Sequence, residues 1–306
     1  MAVETGTLHE RLAGLVGDGR GRVPGRGTGD GADLMVGLVG RGIQASRTPF
    51  MHESEGARLG LRYAYRLIDF DALGLPDEAL GAVLATVREL GFRGLNVTHP
   101  FKRRVLSHLS QTSQEAAVVG AANTVVFRDG HILGFNTDGW GFARSFEETM
   151  GGCALGRVVQ FGAGGAGAAV AHALLELGVA ELSIVDLDRM QAEALAGRFA
   201  SIAPGRVRVG SADIAGADGI VNTTPIGMAK YPGTPFDTSG LTPAQWVADI
   251  VYFPAETALL QAARAAGCRV LPGTGMAIYQ AVRAFELFTG LAPDPVAMTG
   301  HFEAAA

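Results

Sequence analysis

The chain has 306 residues, 48% of them apolar and 7% aromatic, with a formal charge of −5 and a pI near 5.8. That length predicts two domains, and the acidic balance argues against nucleic acid as a partner. No stretch is long and apolar enough for a transmembrane helix, so no membrane partner is expected. Two cysteines, Cys153 and Cys268, exclude a disulfide framework and suit the reducing cytoplasm, and seven scattered histidines give no zinc spacing, so no metal is expected.

The first 33 residues stand apart: they hold nine glycines, and no apolar central region of a secretory signal is present. His9–Val16 reads as a short helix and Gly17–Ala32 as a flexible extension that cannot bury enough surface to fold alone. From Leu34 strands and helices alternate. Strands are expected at Met35–Gly40, Tyr63–Phe70 and Gly94–Val97, a helix from Pro76 to Leu90, and a helical stretch over Phe101–Leu109 after Pro100. Thr124–Phe127 and His131–Phe135 form a hairpin across Arg128-Asp129-Gly130, since Asp-Gly favours a tight turn. Gly139–Met150 reads as a linking helix, and Gly151-Gly152 permits a bend.

The second half reads as a doubly wound parallel sheet of the Rossmann type. Its strands are expected at Val158–Phe161, Leu182–Val185, Val207–Val209, Gly219–Thr223, Trp246–Val251 and Arg269–Leu271. The first of them, opening at Arg157, turns through Gly162-Ala163-Gly164-Gly165-Ala166-Gly167 into the Ala-rich helix Ala168–Leu177. Such a loop turns tightly, admits a pyrophosphate close to the chain and aims a helix N-terminus at the anion. The next strand delivers Asp186, at the roughly 20-residue offset where an acid accepts hydrogen bonds from the adenosine ribose. Its charge repels a 2′-phosphate, so the cofactor expected is NAD rather than NADP. Asp186 and Asp188 are each also good helix N-caps, and Arg189 could lie along the adenine or hold a phosphate. Further cofactor contacts are expected from Thr223, Pro225, Val251, Gly273, Met276 and Ala277, which end strands at the carboxyl edge or precede the last helix. Tyr252 reads equally as a core aromatic, and Met276 as packing. The final helix, Met276–Phe288, sets Met276, Gln280 and Arg283 on one face and is expected to pass back toward the first domain. The domains are thus expected at 34–138 and 153–275, with a link at 139–152 and a returning segment at 276–306.

Polar groups cluster at strand ends and turns of the first domain: Ser46 and Thr48, Thr98 and Lys102, Asn123, Asn136 and Asp138, with Gln280 on the last helix. Hydroxyls, amides, one ammonium and one carboxylate converging on a cleft suit a small polyhydroxylated acid. Each residue has a plainer role too. Ser46 and Thr48 fit a loop cap before Pro49, Asn123 and Asn136 fit turns, Lys102 a solvated first turn, and Asp138 an N-cap.

Together these motifs resemble the shikimate dehydrogenase family, from about Leu38 to Phe288. They are Asn-Val-Thr-His-Pro-Phe-Lys at Asn96–Lys102, Gly-Ala-Ala-Asn-Thr-Val at Gly120–Val125, Asn-Thr-Asp-Gly at Asn136–Gly139 and the glycine loop. Asn-Thr-Thr-Pro-Ile-Gly-Met, Asp-Ile-Val-Tyr and Met-Ala-Ile-Tyr-Gln-Ala follow at Asn222, Asp249 and Met276. The resemblance implies an α/β substrate domain before a Rossmann domain. It also implies a catalytic pair at Lys102 and Asp138, and substrate contacts from Ser46, Thr48, Thr98, Asn123, Asn136 and Gln280. Two departures from the usual biosynthetic pattern, Ser46-Arg47-Thr48 for Ser-x-Ser and Asp186-Leu187-Asp188 for Asn-Arg-Thr, are similar to the NAD-preferring quinate/shikimate branch. The implied reaction is reversible oxidation of the C3 hydroxyl of quinate or shikimate, and a homodimer is the association common in this fold family. An NADP-dependent biosynthetic enzyme, an aminoquinate or aminoshikimate dehydrogenase, and a non-catalytic dinucleotide sensor remain as rival readings.

Overall fold

The computed structural model describes residues 5–17 and 34–304, so the extension expected over Gly17–Ala32 lies, beyond Gly17, outside the described residues. The chain divides into two compact units, one of residues 1–137 and 281–306, the other of Asp138–Gln280.

In the first unit, α1 (Thr5–Gly17) covers the helix expected at His9–Val16. It forms because Leu8 and Leu12, one turn apart, share a face and are buried, each burial stabilising by roughly 1.5–3 kcal/mol. Strand β1 (Leu34–Gly40) is apolar on both faces and lies between two parallel neighbours. Helix α2 (Thr48–Arg58) follows it, with Pro49 in the first turn where the missing N–H costs nothing. Strand β2 (Tyr63–Asp69) flanks one side of β1. A 3₁₀ turn at Asp77–Ala79 leads into α3 (Leu80–Glu89), whose Leu80, Val83, Leu84 and Val87 join Leu8 and Leu12 in one core. Strand β3 (Gly94–Val97) flanks the other side of β1.

The helical stretch expected over Phe101–Leu109 is instead a 3₁₀ turn confined to Arg104–His108. The chain must leave early: Ser110 N–H donates to the Ile132 carbonyl at 2.8 Å, and β4 (Gln111–Thr112) joins the sheet edge at once. Helix α4 (Gln114–Val119) is capped by Ser113 and closed by Gly120 at φ 66°. Strands β5 (Thr124–Arg128) and β6 (His131–Phe135) form the expected hairpin, and its two loop residues, Asp129 and Gly130, both have positive φ. The sheet order is β2-β1-β3-β5-β6-β4.

The second unit opens with α5 (Asp138–Met150) and continues through β7 (Arg157–Phe161), α6 (Gly165–Glu176), β8 (Glu181–Val185), α7 (Arg189–Phe199) and β9 (Val207–Val209). Its other half holds β10 (Gly219–Asn222), β11 (Trp246–Asp249), α8 (Ala258–Ala265) and β12 (Arg269–Pro272). All six strands are parallel in the order β12-β11-β10-β7-β8-β9, the doubly wound arrangement whose order reverses beside β7. Helix α9 (Gly273–Thr289) starts in this unit and ends in the first, to which α10 (Pro295–Ala304) also belongs. Among the described residues no helix is long and apolar enough to cross a membrane.

Within the first unit α2 buries polar side chains rather than an apolar stripe. His52 is enclosed by Tyr63, Tyr65, Phe285 and Phe288, its Nδ1 lies 3.1 Å from the Tyr63 hydroxyl, and its Nε2 has no partner among the described residues. Burial pushes its pKa down to about 3. Neighbouring Glu53 is pushed up to about 6 by burial, against the Tyr65 N–H and Arg66, which lower it. The two shifts bear on stability in opposite pH windows. His52, depressed from 6.5, contributes stability above that value which is lost as pH falls toward about 3. Glu53, raised from 4.5, contributes stability below that value which is lost as pH rises through about 6, on the order of 2 kcal/mol. Glu53→Gln is therefore expected to raise the thermal midpoint above pH 7 and to leave it near the parent's at pH 4.5. Melting curves across that range check this, and a uniform shift at every pH would refute it.

Candidate active site

Two groups of predicted residues lie in the first unit. The segment from Arg41 to Thr48 is held from below by Asp69, a nearly inaccessible carboxylate. It accepts hydrogen bonds at 3.0 Å from the N–H groups of Gly42, Ile43 and Asp71 and from Gln44 Nε2. Burial pushes Asp69 up, but the donations from Gln44, Asp71, Gly42 and Ile43 outweigh it and leave the carboxyl below its ordinary value. The loop so fixed presents Ser46 and Thr48 together: Ser46 Oγ donates to Thr48 Oγ1 at 3.2 Å and accepts from the Thr48 N–H at 3.3 Å. Two adjacent hydroxyls at a helix start can donate to one carboxylate.

The second group surrounds Asn123, buried at the entrance of β5. Its Oδ1 accepts from the Thr137 N–H at 2.8 Å and from Thr124 Oγ1 at 3.1 Å, while its Nδ2 donates to Thr137 Oγ1 at 2.9 Å. Thr124 in turn accepts from Asn96 Nδ2 at 3.1 Å, and Asn96 Oδ1 accepts from the Tyr65 hydroxyl at 2.8 Å. A continuous buried polar chain therefore runs Tyr65–Asn96–Thr124–Asn123–Thr137, fixing the neighbours of Thr137 in sequence. Asn136 is also buried and donates through Nδ2 to the Ala121 carbonyl at 3.0 Å. Thr98 follows β3 with its N–H on the Val39 carbonyl, and Lys102 lies in the next turn, its carbonyl accepting from the Ala122 N–H at 2.8 Å. Asp138 and Gln280 are the first and last residues of the second unit. Asp138 is buried at the start of α5; Gln280 is partly buried on α9, its Nε2 donating to the Ala277 carbonyl at 3.1 Å. A Cβ on Gly141 would stand 2.7 Å from Gln280 N, so α5 and α9 pack closely there.

The second unit carries the glycine loop. Gly162 turns at φ +103°, where a Cβ would also meet Thr223 Oγ1 at 2.6 Å. Around Gly164 a Cβ would meet nothing within 4 Å, so the backbone is open to approach. At Gly167 a Cβ would strike the Gly162 carbonyl at 2.4 Å, so this glycine packs helix against strand. These are the three separate demands that a pyrophosphate-binding turn makes of its glycines, and Gly165 and Ala166 open α6. Ala163 N–H donates to Asp186 Oδ2 at 2.7 Å and Asp188 N–H to Asp186 Oδ1 at 2.9 Å. Each carboxylate oxygen keeps a second lone pair for a ribose hydroxyl. Residues and backbone therefore fit a dinucleotide. Asp188, not Asp186, caps α7 through the Met190 N–H, and Arg189 pairs with Glu193 on the same helix at 2.8 Å.

At the carboxyl edge, Thr223 directs its hydroxyl at the Phe161 and Gly162 carbonyls, at 2.8 and 3.0 Å. Pro225 accepts from the Met228 N–H, and Val251 is buried with its N–H on Asp249 Oδ1 at 3.0 Å. A Cβ on Gly273 would lie 2.4 Å from the Ile250 carbonyl, and Met276 is buried while Ala277 is partly so. Tyr252 is 49% exposed, which excludes the core-aromatic role. Asp249, absent from the sequence-based set, is buried and accepts from Asn222 Nδ2 at 2.9 Å and Thr257 Oγ1 at 2.7 Å; burial raises its pKa. Its place at the start of the Asp-Ile-Val-Tyr motif was the available signal. No group of three metal-ligating side chains is found among the described residues.

Family models describe matching segments as the shikimate dehydrogenase substrate binding domain over residues 38–125 and the shikimate 5′-dehydrogenase C-terminal domain over 273–300. A shikimate dehydrogenase (NADP(+)) of Streptomyces avermitilis is 52% identical over 86% of this chain and 93% of its own. The chain belongs to the shikimate dehydrogenase family. Another relative in that family, a quinate/shikimate dehydrogenase (NAD(+)) of Corynebacterium efficiens, is 50% identical over 88% of this chain and 97% of its own. The solved quinate dehydrogenase from Corynebacterium glutamicum in complex with NAD is 48% identical, with a TM-score of 0.84 over 89% of this chain and 99% of that one. The two-sheet α/β architecture is thus that of the shikimate dehydrogenase family.

Proposed function

We propose that this chain oxidises the C3 hydroxyl of quinate or shikimate with NAD as the preferred cofactor. The observation that carries the cofactor half is the Asp186 carboxylate, anchored at 2.7 Å to the glycine loop and set to accept from a ribose diol rather than to face a 2′-phosphate. Arg189, the cation nearest in sequence, is engaged by Glu193. Relatives bearing NAD and NADP names both lie near 50% identity, so overall likeness does not separate the cofactors, and the reading rests on the residue at this strand end.

In this reading the glycine loop and the α6 N-terminus hold the pyrophosphate, and Asp186 holds the adenosine ribose. Bound NAD+ supplies the acceptor for the C3 hydride. Ser46 and Thr48 donate to the substrate carboxylate, while Thr98, Asn123, Asn136 and Gln280 orient the ring hydroxyls. As the alcohol is oxidised, its hydroxyl proton passes to the Lys102–Asp138 pair. The Lys102 ammonium offsets the negative charge developing on the C3 oxygen, and Asp138 orients Lys102 and the alcohol.

An initial-rate matrix of quinate and shikimate, each with NAD+ and NADP+, tests both halves. NAD+ is expected to give the higher kcat/KM with either acid. A higher value with NADP+ overturns the cofactor assignment, and no turnover of either acid overturns the substrate class.

A further inference from the structure

We infer that Gln160 is a positioning residue for the dinucleotide, holding the glycine loop in its binding shape from beneath. This rests on the reading of the second unit as the cofactor-binding one. Gln160 lies inside β7 and is wholly buried, and the flanking Val158, Val159 and Phe161 of the same strand are buried too. Its Nε2 donates to two carbonyls at 2.9 Å each, those of Gly162 and Gly167, the first and last glycines of the loop. One amide therefore ties both ends of the turn to the sheet. Its Oε1 finds no partner among the described residues. Burying an unpaired acceptor is costly, so an apolar side chain of the same size would serve this strand better if packing were its only task.

What the donation accomplishes follows from the planarity of the peptide. In a trans peptide the carbonyl and the next N–H point in opposite directions. Gln160, aided by the Thr223 hydroxyl at 3.0 Å, fixes the Gly162 carbonyl toward the sheet. The same plane then turns the Ala163 N–H toward Asp186 Oδ2. The carboxylate set to take the ribose is thus oriented through one peptide unit whose other end Gln160 holds. The second unit supplies an internal comparison. Gln245, also buried, donates through Nε2 to the carbonyls of Ile214 and Ala217 at 2.9 and 3.1 Å, away from the glycine loop.

The test measures NADH binding by calorimetry, with no substrate present. Gln160→Met keeps the volume and removes both donations, and is expected to weaken NADH about tenfold or more. In the free protein it is expected to speed hydrogen exchange at the Ala163 amide. Gln245→Met is expected to lower the melting temperature comparably while leaving the NADH Kd at the parent value. Should Gln160→Met not fold, Gln160→Glu gives an independent reading. Its neutral carboxyl can donate one hydrogen bond, whereas its ionised form repels both carbonyls, so its Kd relative to the parent is expected to worsen as pH rises. A parent-like Kd in Gln160→Met, an equal weakening in Gln245→Met, or a pH-flat ratio in Gln160→Glu overturns this inference alone. Binding of neither NADH nor NADPH by the parent overturns the dinucleotide reading and takes this inference with it.

Discussion

Lys102→Met is expected to fold, to bind NADH as the parent does, and to turn over quinate or shikimate at least about 100-fold more slowly. The reason is chemical. An alkoxide developing at C3 needs both a proton acceptor and a nearby positive charge, and methionine supplies neither while keeping the length of the side chain. The backbone around Lys102 does not depend on the ammonium, because its contribution to the turn, the bond from the Ala122 N–H, is made by the carbonyl. Asp138→Asn is expected to fall by a similar factor, and the double variant to fall scarcely further, since paired groups do not act additively. Turnover, NADH affinity and melting temperature measured together separate the outcomes. Near-parent turnover in Lys102→Met would remove it from the chemistry.

The second large effect is expected at Asp186. Loss of a charged acceptor for the ribose hydroxyls should lower kcat/KM for NAD+ by roughly 10–100-fold. Removing its charge should at the same time relieve repulsion of a 2′-phosphate, so the NAD+ over NADP+ ratio should fall by at least about tenfold. Two substitutions separate charge from architecture, because Asp186 also accepts the Ala163 N–H at 2.7 Å. Asp186→Asn can still accept that bond through its one amide oxygen but loses the charge and the acceptor for the Asp188 N–H, whereas Asp186→Ala loses the charge and both acceptors. Asn should shift the cofactor ratio with little change in melting temperature; Ala should shift the ratio and loosen the loop. An unchanged ratio in both variants would mean that discrimination resides elsewhere.

The second sheet was legible because its strands are short apolar runs, and because the glycine loop followed by an acid has few other structural meanings. The hairpin at Asp129-Gly130 was legible for a local reason too, since its turn type demands positive φ at both positions. What escaped was set by partners distant in sequence. Helix α2 buries His52, Glu53 and Glu55, so its sequence shows no apolar period, and Glu55 meets the Asp294 N–H, 239 residues away. Helix α10 likewise packs on α2 without a clear stripe of its own. The 3₁₀ turn at Arg104–His108 replaced an expected longer helical stretch because sheet-edge pairing claimed the chain first. The candidate site residues that the sequence offers stand at strand ends and turns, where short motifs mark them. Asp69, Tyr65 and Gln160 carry no such mark, since a polar residue inside an apolar strand gives no hint of which carbonyl or amide it will meet.

The division of α9 has a consequence for the order in which the protein is made. Phe285 and Phe288 are buried in the same cluster as Val36, Tyr63 and Tyr65, yet they are translated more than 200 residues after them. On the ribosome the middle of the chain can complete its own core first, while the portion that emerged earliest stays open until the last aromatic rings arrive. A chain ending at Gln280, carried clear of the ribosomal exit tunnel by an appended linker, would therefore hold a finished nucleotide fold and an unsealed first sheet, and nascent-chain proteolysis would find its cuts upstream of Asp138.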